Sequence, residues 1–176
     1  MAYYVVTGRP SPSEYAPGFA RYVDLVAGED VIFSLTGQID RTIPALRAVS
    51  EEISLKKYAP GKWSLKEVLG HMIDTERVFA YRALRIARND KTLLSSFDQD
   101  AFVAAAGFDS RPWTDLLGEF ELLRRVNVLM FRGFDKGVWE YRGNVNGNEM
   151  SVRAAAFVIA GHELAHRQII REKYIG

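Results

Sequence analysis

The chain has 176 residues, 48% of them hydrophobic, a formal net charge of +1 and no cysteine. That length and composition suit one domain with a full core, and the missing thiols exclude disulfides, thiolate metal sites and a cysteine nucleophile. The near-neutral charge lacks the basic excess of a phosphate-neutralising nucleic-acid binder, and no apolar stretch approaches the ~20 residues of a membrane span.

Residues 1–28 form an arm punctuated by Gly8, Pro10, Pro12, Pro17, Gly18 and Gly28, which argues against one long regular element. Its apolar residues Tyr15, Phe19, Tyr22, Leu25 and Val26 are costly to leave in water. The arm is therefore expected to lie on the domain formed by residues 29–176 with those side chains tucked in. The opening MAYYVVTGRPSPSEY has neither the basic nor the apolar region of a secretory signal, so a cytoplasmic location is the expectation.

From about Glu29 to Glu51, helical spacing runs through Ile32, Leu35, Ile39, Ile43, Leu46 and Ile53, with Pro44 as a predicted kink. KYAPGKW at 57–63 is turn-rich. Ser64 and Glu67 form the S-x-x-E pattern of a capping box, opening a helix that runs to about Arg88 with Leu65, Leu69, Met72, Phe79, Ala83 and Ile86 on one face. A loop follows to Phe97, and Asp98 can cap a short helix through Ala106. Pro112 lies near the start of a third long helix with the stripe Leu116, Phe120, Leu123, Asn127, Met130 and Phe134. Residues 135–150 read as a loop with a small hairpin at Asn146-Gly147. Ser151 can cap a last helix to about Tyr174. Four long amphipathic helices predict an all-α four-helix bundle.

The three histidines are His71, His162 and His166. His162 and His166 form H-E-L-A-H, which puts both rings on one helical face, one turn apart. They continue the seam Ala155, Ile159, His162, His166, Ile169, where a bundle ordinarily places Leu or Ile. His71 sits two turns into the second long helix, on the flank of its apolar arc. The residues alone leave two readings open: histidines that share one ion, or core histidines satisfied by neighbouring polar groups. H-E-x-x-H also fits zinc metalloproteases, but their third ligand follows downstream. Only ten residues follow His166, with Glu172 the one later carboxylate, so that reading is disfavoured. Glu163 lies about 100° around the helix from His162, and its role stays open.

The stretches YAPGKWSLKEVLGHMIDTERVFAYRALRIARND, FDQDAF and SVRAAAFVIAGHELAHRQIIREKY resemble the DinB-like superfamily of damage-inducible metalloenzymes, nearest its YfiT-type branch. The resemblance covers most of the chain, including EYAPGFARYVDLV of the arm. It implies a four-helix bundle with an up-down-down-up connection and a metal held by one histidine of the second long helix and two of the fourth. Those positions correspond here to His71, His162 and His166. Some members transfer sulfur from low-molecular-weight thiols such as bacillithiol; others are described as metal-dependent hydrolases. The resemblance also makes a homodimer the expectation.

Three neutral imidazoles leave coordination positions open, as catalytic sites do. The reacting group is then a metal-bound water, for hydrolysis, or a thiolate from a small-molecule cosubstrate. The ion is a divalent transition metal, zinc first, with nickel or iron compatible. Asp74, Glu67 and Asp98 are the candidate carboxylates for orienting the imidazoles. Asp98 and Asp100 of FDQDAF have two uses, helix cap or pocket rim, and Asp74 has a further partner in Arg77 or Arg82. Asn127 reads as a satisfied buried amide, and Trp63, Trp113 and Trp139 as packing near helix ends. The expected partner is a small-molecule substrate. Two alternatives remain: a non-catalytic metal- or ligand-binding stress-response protein, and a plain structural bundle.

Overall fold

The computed structural model describes residues 7–175; the first six residues of the arm and Gly176 lie outside that range. Seven α-helices carry the chain: α1 (Ala20–Val23), α2 (Val31–Arg47), α3 (Glu51–Ser54), α4 (Leu65–Ala87), α5 (Gln99–Ala106), α6 (Trp113–Arg132) and α7 (Val152–Ile170). Strands β1 (Arg142–Val145) and β2 (Asn148–Ser151) make a single antiparallel hairpin. Among the described residues no helix is long and apolar enough to cross a membrane.

Local chemistry sets most boundaries. The Asp30 side chain accepts from Phe33 N to open α2. Ser64 and Glu67 form the capping box of α4. Asp98 accepts from the amides of Asp100 and Ala101 at the start of α5, and Ser151 accepts from Ala154 N at the start of α7. Such caps satisfy amides that the first turn leaves without partners. Asn146 and Gly147 both have positive φ, which the two-residue turn between right-twisted strands requires.

Two expectations need correction. The first long helix stops at Arg47 rather than Glu51, because the Ser50 hydroxyl accepts from Ile53 N and starts α3 in its place; Ile53 is consequently exposed. α2 contains Pro44 within its span, with that residue on its exposed side. In the arm, Tyr15 and Val26 are buried and Phe19 and Tyr22 half-buried, but Leu25 is exposed. Val23 and Val26, three apart, face the bundle, and that turns Leu25 outward. The arm is held by Arg153, which clasps the buried Glu14 carboxylate through Nε and Nη2 at 2.7 and 2.6 Å.

The four long helices form a ring in which α4 touches α6 and α7, and α2 touches the same two. Their core is split into two apolar clusters. One gathers Leu35, Phe79, Phe131, Trp139, Phe157 and Ile159 with the arm. The other gathers Ile39, Leu46, Leu69, Met72, Phe120 and Ile170. Each such side chain contributes roughly 1.5–3 kcal/mol when fully buried. Between the clusters, each long helix contributes buried polar residues: Gln38 and Thr42 from α2, His71, Thr75 and Glu76 from α4, Arg124 and Asn127 from α6, and His162 and Glu163 from α7.

Candidate metal centre

The α4–α7 contact positions the histidines, and a glycine precedes each of the two buried ones. A Cβ on Gly161 would lie 1.9 Å from the Tyr22 carbonyl oxygen, and one on Gly70 would lie 2.4 Å from the Phe108 ring. Glycine at these two positions lets the arm and the Phe108 turn close directly over His162 and His71. The Tyr22 ring meets His162 edge-on at 5.2 Å, and the Trp63 ring lies 4.9 Å from His71.

His71, on the flank of its arc by sequence, is 3% exposed, so the flank is covered by α7. Its Nε2 lies 3.0 Å from Nε2 of His162. The His166 ring centroid is 5.0 Å from that of His71 and 4.4 Å from that of His162. One ring nitrogen from each histidine falls within 4.8 Å of the others. The seam shifts there: Ile169 is exposed on the rim of a cavity, and Ile170 takes the core-facing position beside it.

Burial pushes the His71 imidazole down to about 4, against the opposing pull of Asp100. Burial, then the neighbouring His71 and Arg21, lower His166 to about 3. His162 is held well below its ordinary value by burial first and by the other two histidines second. All three rings are therefore neutral near pH 7, the form that ligates metal.

Two observations test whether the cluster fits an ion. The buried Nδ1 of His166 has no hydrogen-bond partner among the described residues. The facing Nε2 atoms of His71 and His162 form a satisfied pair only when one of the two carries the proton and the other does not. Nitrogens bound ~2.0–2.1 Å from one ion lie within about 4 Å of one another. The observed spread is somewhat wider, and the broad imidazole χ2 torsion closes it with small ring rotations. An all-imidazole donor set fits a divalent transition metal.

The candidate orienting carboxylates are engaged elsewhere. Glu67 accepts from Ser64 N and Lys57 Nζ, Asp98 caps α5, and Asp74 lies 3.6 Å from Arg77. Among the described residues none of the three hydrogen-bonds to a histidine. Asp100, two residues beyond Asp98, instead borders a cavity of about 250 Å³ with His166, Trp63 and Tyr174. A second cavity, of about 230 Å³, is lined by His71 and His162 with Arg21, Arg82, Phe79 and Phe97. Each cavity thus reaches part of the histidine cluster, one at His166 and the other at His71 and His162.

Glu163, left open by sequence, belongs to the polar layer. It accepts from Thr42 Oγ1 and from Arg124 Nη1, both at 2.5 Å. Arg124 also forks onto Glu76 at 2.9 and 2.8 Å, and Asn127 Nδ2 donates to Glu76 at 3.0 Å, which satisfies that buried amide as expected. Arg124 and Glu76 escaped the sequence reading. Of the third-helix stripe expected from periodicity, Leu123 and Met130 are half-buried, whereas the inward face passes through Phe120, Arg124, Asn127 and Phe131. An arginine at the i+4 position from Phe120 was the available signal.

A search of curated proteins found no match. Among solved structures, YfiT from Bacillus subtilis, described as a probable metal-dependent hydrolase with an unusual four-helix bundle topology, matches with a TM-score of 0.68 over 93% of this chain and 91% of that one, at 12% identity. At that identity the likeness is one of fold, and it agrees with the helical bundle described above. The DinB superfamily model matches residues 34–170, a span that holds all three histidines and the whole polar layer. The chain belongs to the DinB superfamily.

Proposed function

We propose that His71, His162 and His166 hold one divalent transition-metal ion and that the protein is a metal-dependent hydrolase acting on a small molecule. The observation that carries this reading is the convergence of three neutral imidazoles from α4 and α7, two buried and one half-buried, beside two cavities. The probable hydrolase description of YfiT, a protein of the same fold, supports it. When bound, the ion supplies Lewis acidity, polarising a substrate oxygen and lowering the pKa of a water or thiol. The protein's own residues do the rest. The two cavities give substrate access to the histidines. Among the described residues Asp100 is the only carboxylate lining either cavity, which makes it the candidate to accept a proton from the attacking group. Zinc as the ion, a homodimer, a cytoplasmic setting and the up-down-down-up connection belong to the same proposal.

One observation favours a second reading, thiol S-transfer. Among the described residues no carboxylate hydrogen-bonds to the histidines, so the site is poor in general base, and a thiol activated by the ion has less need of one. With no cysteine in the chain, the sulfur comes from a cosubstrate. The test is turnover by zinc-loaded and chelator-treated protein, purified without a histidine tag, on ester and amide panels and on electrophiles with several thiols. Asp100→Asn should abolish hydrolysis and spare thiol transfer. Equal activity with and without metal would overturn both readings, and no turnover with firm metal binding would favour a non-catalytic binder.

A further inference from the structure

Arg82 is 4% exposed, yet no carboxylate among the described residues pairs with it. Its Nη2 donates to the Ser95 carbonyl at 2.6 Å, the only hydrogen bond of its guanidinium among those residues. The group lies against Phe79 and Phe97, 4.9 and 5.9 Å from their ring centroids. A guanidinium carries five donors in a planar fork, and a buried cation without a counter-charge is unfavourable. Stacking on aromatic faces offsets part of that cost but provides no anion.

Arg82 lines the cavity of about 230 Å³ that reaches His71 and His162. Among the described residues the only ordinarily charged ones on that lining are Arg21 and Arg82, with no aspartate or glutamate. Arg21 is exposed and donates to the Tyr22 hydroxyl at 2.8 Å, which leaves Arg82 as the single buried cation. The rest of the wall is largely aromatic, with Phe19, Phe79 and Phe97. The space is smaller than the ~300 Å³ at which drug-sized sites begin.

We infer that this cavity takes a small organic carboxylate, its two oxygens on the Arg82 fork, its apolar body among Phe19, Phe79 and Phe97, and its other end toward His71 and His162. The inference deepens the proposed function and rests on it for the identity of the reacting centre. A single buried guanidinium matches one carboxylate in charge and in bidentate geometry, whereas a phosphate monoester brings a second charge that this wall does not meet.

The test uses phenylacetate, the neutral isostere phenylacetamide, and phenyl phosphate. Each is titrated calorimetrically into zinc-loaded and chelator-treated protein, with backbone amide shifts followed by NMR. Phenylacetate should bind roughly tenfold or more tighter than phenylacetamide in both forms. The shifts should cluster at Ser96, Phe97 and Gln99. Arg82→Gln should erase the preference for the carboxylate, with circular dichroism unchanged. Equal binding of acid and amide, no binding at millimolar concentration, tighter binding of phenyl phosphate, or shifts clustered at Trp63 and Tyr174 would each overturn the inference. These wild-type outcomes decide it even if the variant fails to fold. The two readings also fail separately: loss of metal uptake counts against the histidine site, and loss of charge selectivity counts against Arg82.

Discussion

His71 Nε2 and His162 Nε2 face each other at 3.0 Å across the α4–α7 contact, 91 residues apart in the chain. Two neutral imidazoles meet this way only when one donates to the other, and a third imidazole stands against both. Leucine or isoleucine at these core-facing positions would pack better and require no partner. The arrangement is better suited to holding a cation than to filling a core.

His166→Ala should therefore lower zinc affinity by more than roughly 100-fold, beyond the 10–100-fold typical of losing an outer partner. The fold should survive, because two apolar clusters hold the bundle independently of the cluster of rings. Chelator competition gives the affinity, and circular dichroism with a thermal melt gives the fold. Unchanged affinity would remove His166 from the site, and unfolding on chelation alone would make the site structural.

The metal-free protein should lose stability on acidification. His71 and His166 are held at about 4 and about 3 in the folded state, below the ordinary 6.5. The unfolded chain therefore binds more protons between those values, and stability rises with pH through that window. It is fully present above about pH 6.5 and is lost progressively as pH falls toward the folded values. Each histidine contributes up to about 1.4 kcal/mol per pH unit inside the window. Urea denaturation at a series of pH values checks this; a flat profile between about pH 6.5 and 4.5 would contradict neutral, buried rings.

What could be read from the sequence was local or periodic. The Ser64–Glu67 box, the Asp98 and Ser151 caps and the Asn146-Gly147 turn each involve residues one to three apart, so their chemistry is written in neighbouring letters. His162 and His166 were legible for the same reason. The Arg124 contacts were not, since Glu76 and Glu163 lie 48 and 39 residues away and an arginine on an amphipathic helix is ordinarily solvated. The contact of Gly161 with the arm was equally hidden, because a small residue in a helix does not reveal what approaches it.

That contact makes its own prediction. Gly161→Ala places a methyl group 1.9 Å from the Tyr22 carbonyl oxygen, a backbone atom that moves only if α1 moves. Ala gains helix propensity over Gly by ~1 kcal/mol, but overpacking costs typically 1–3 kcal/mol. Net destabilisation and faster proteolysis within the arm are expected. A variant as stable as the parent, with the arm equally protected, would show that α1 adjusts freely.

The polar layer around Arg124 yields the last prediction. Arg124 is 1% exposed and meets both Glu76 and Glu163 at 2.8 and 2.5 Å, while Thr42 and Asn127 complete the carboxylates. Removing only the cation leaves two buried carboxylates without a counter-charge, a change that costs about 3–5 kcal/mol in comparable pairs. Arg124→Met should therefore be far more damaging than its loss of volume implies. If uncompensated charge is the cause, adding Glu76→Gln and Glu163→Gln to Arg124→Met should recover most of the loss. The amides keep acceptors for Thr42 and Asn127 and carry no charge. If packing is the cause, the triple variant should be no better than the single one. Urea denaturation of the three proteins separates the outcomes. Zinc affinity adds a second readout, because Glu163 adjoins His162 in the chain and both border the same small internal gap as Glu76 and Arg124. In the triple variant the ion loses one net negative charge from its surroundings, since one arginine and two glutamates are neutralised together. Affinity should accordingly fall even where stability returns, and recovery of stability with unchanged affinity would confine the layer to holding the helices.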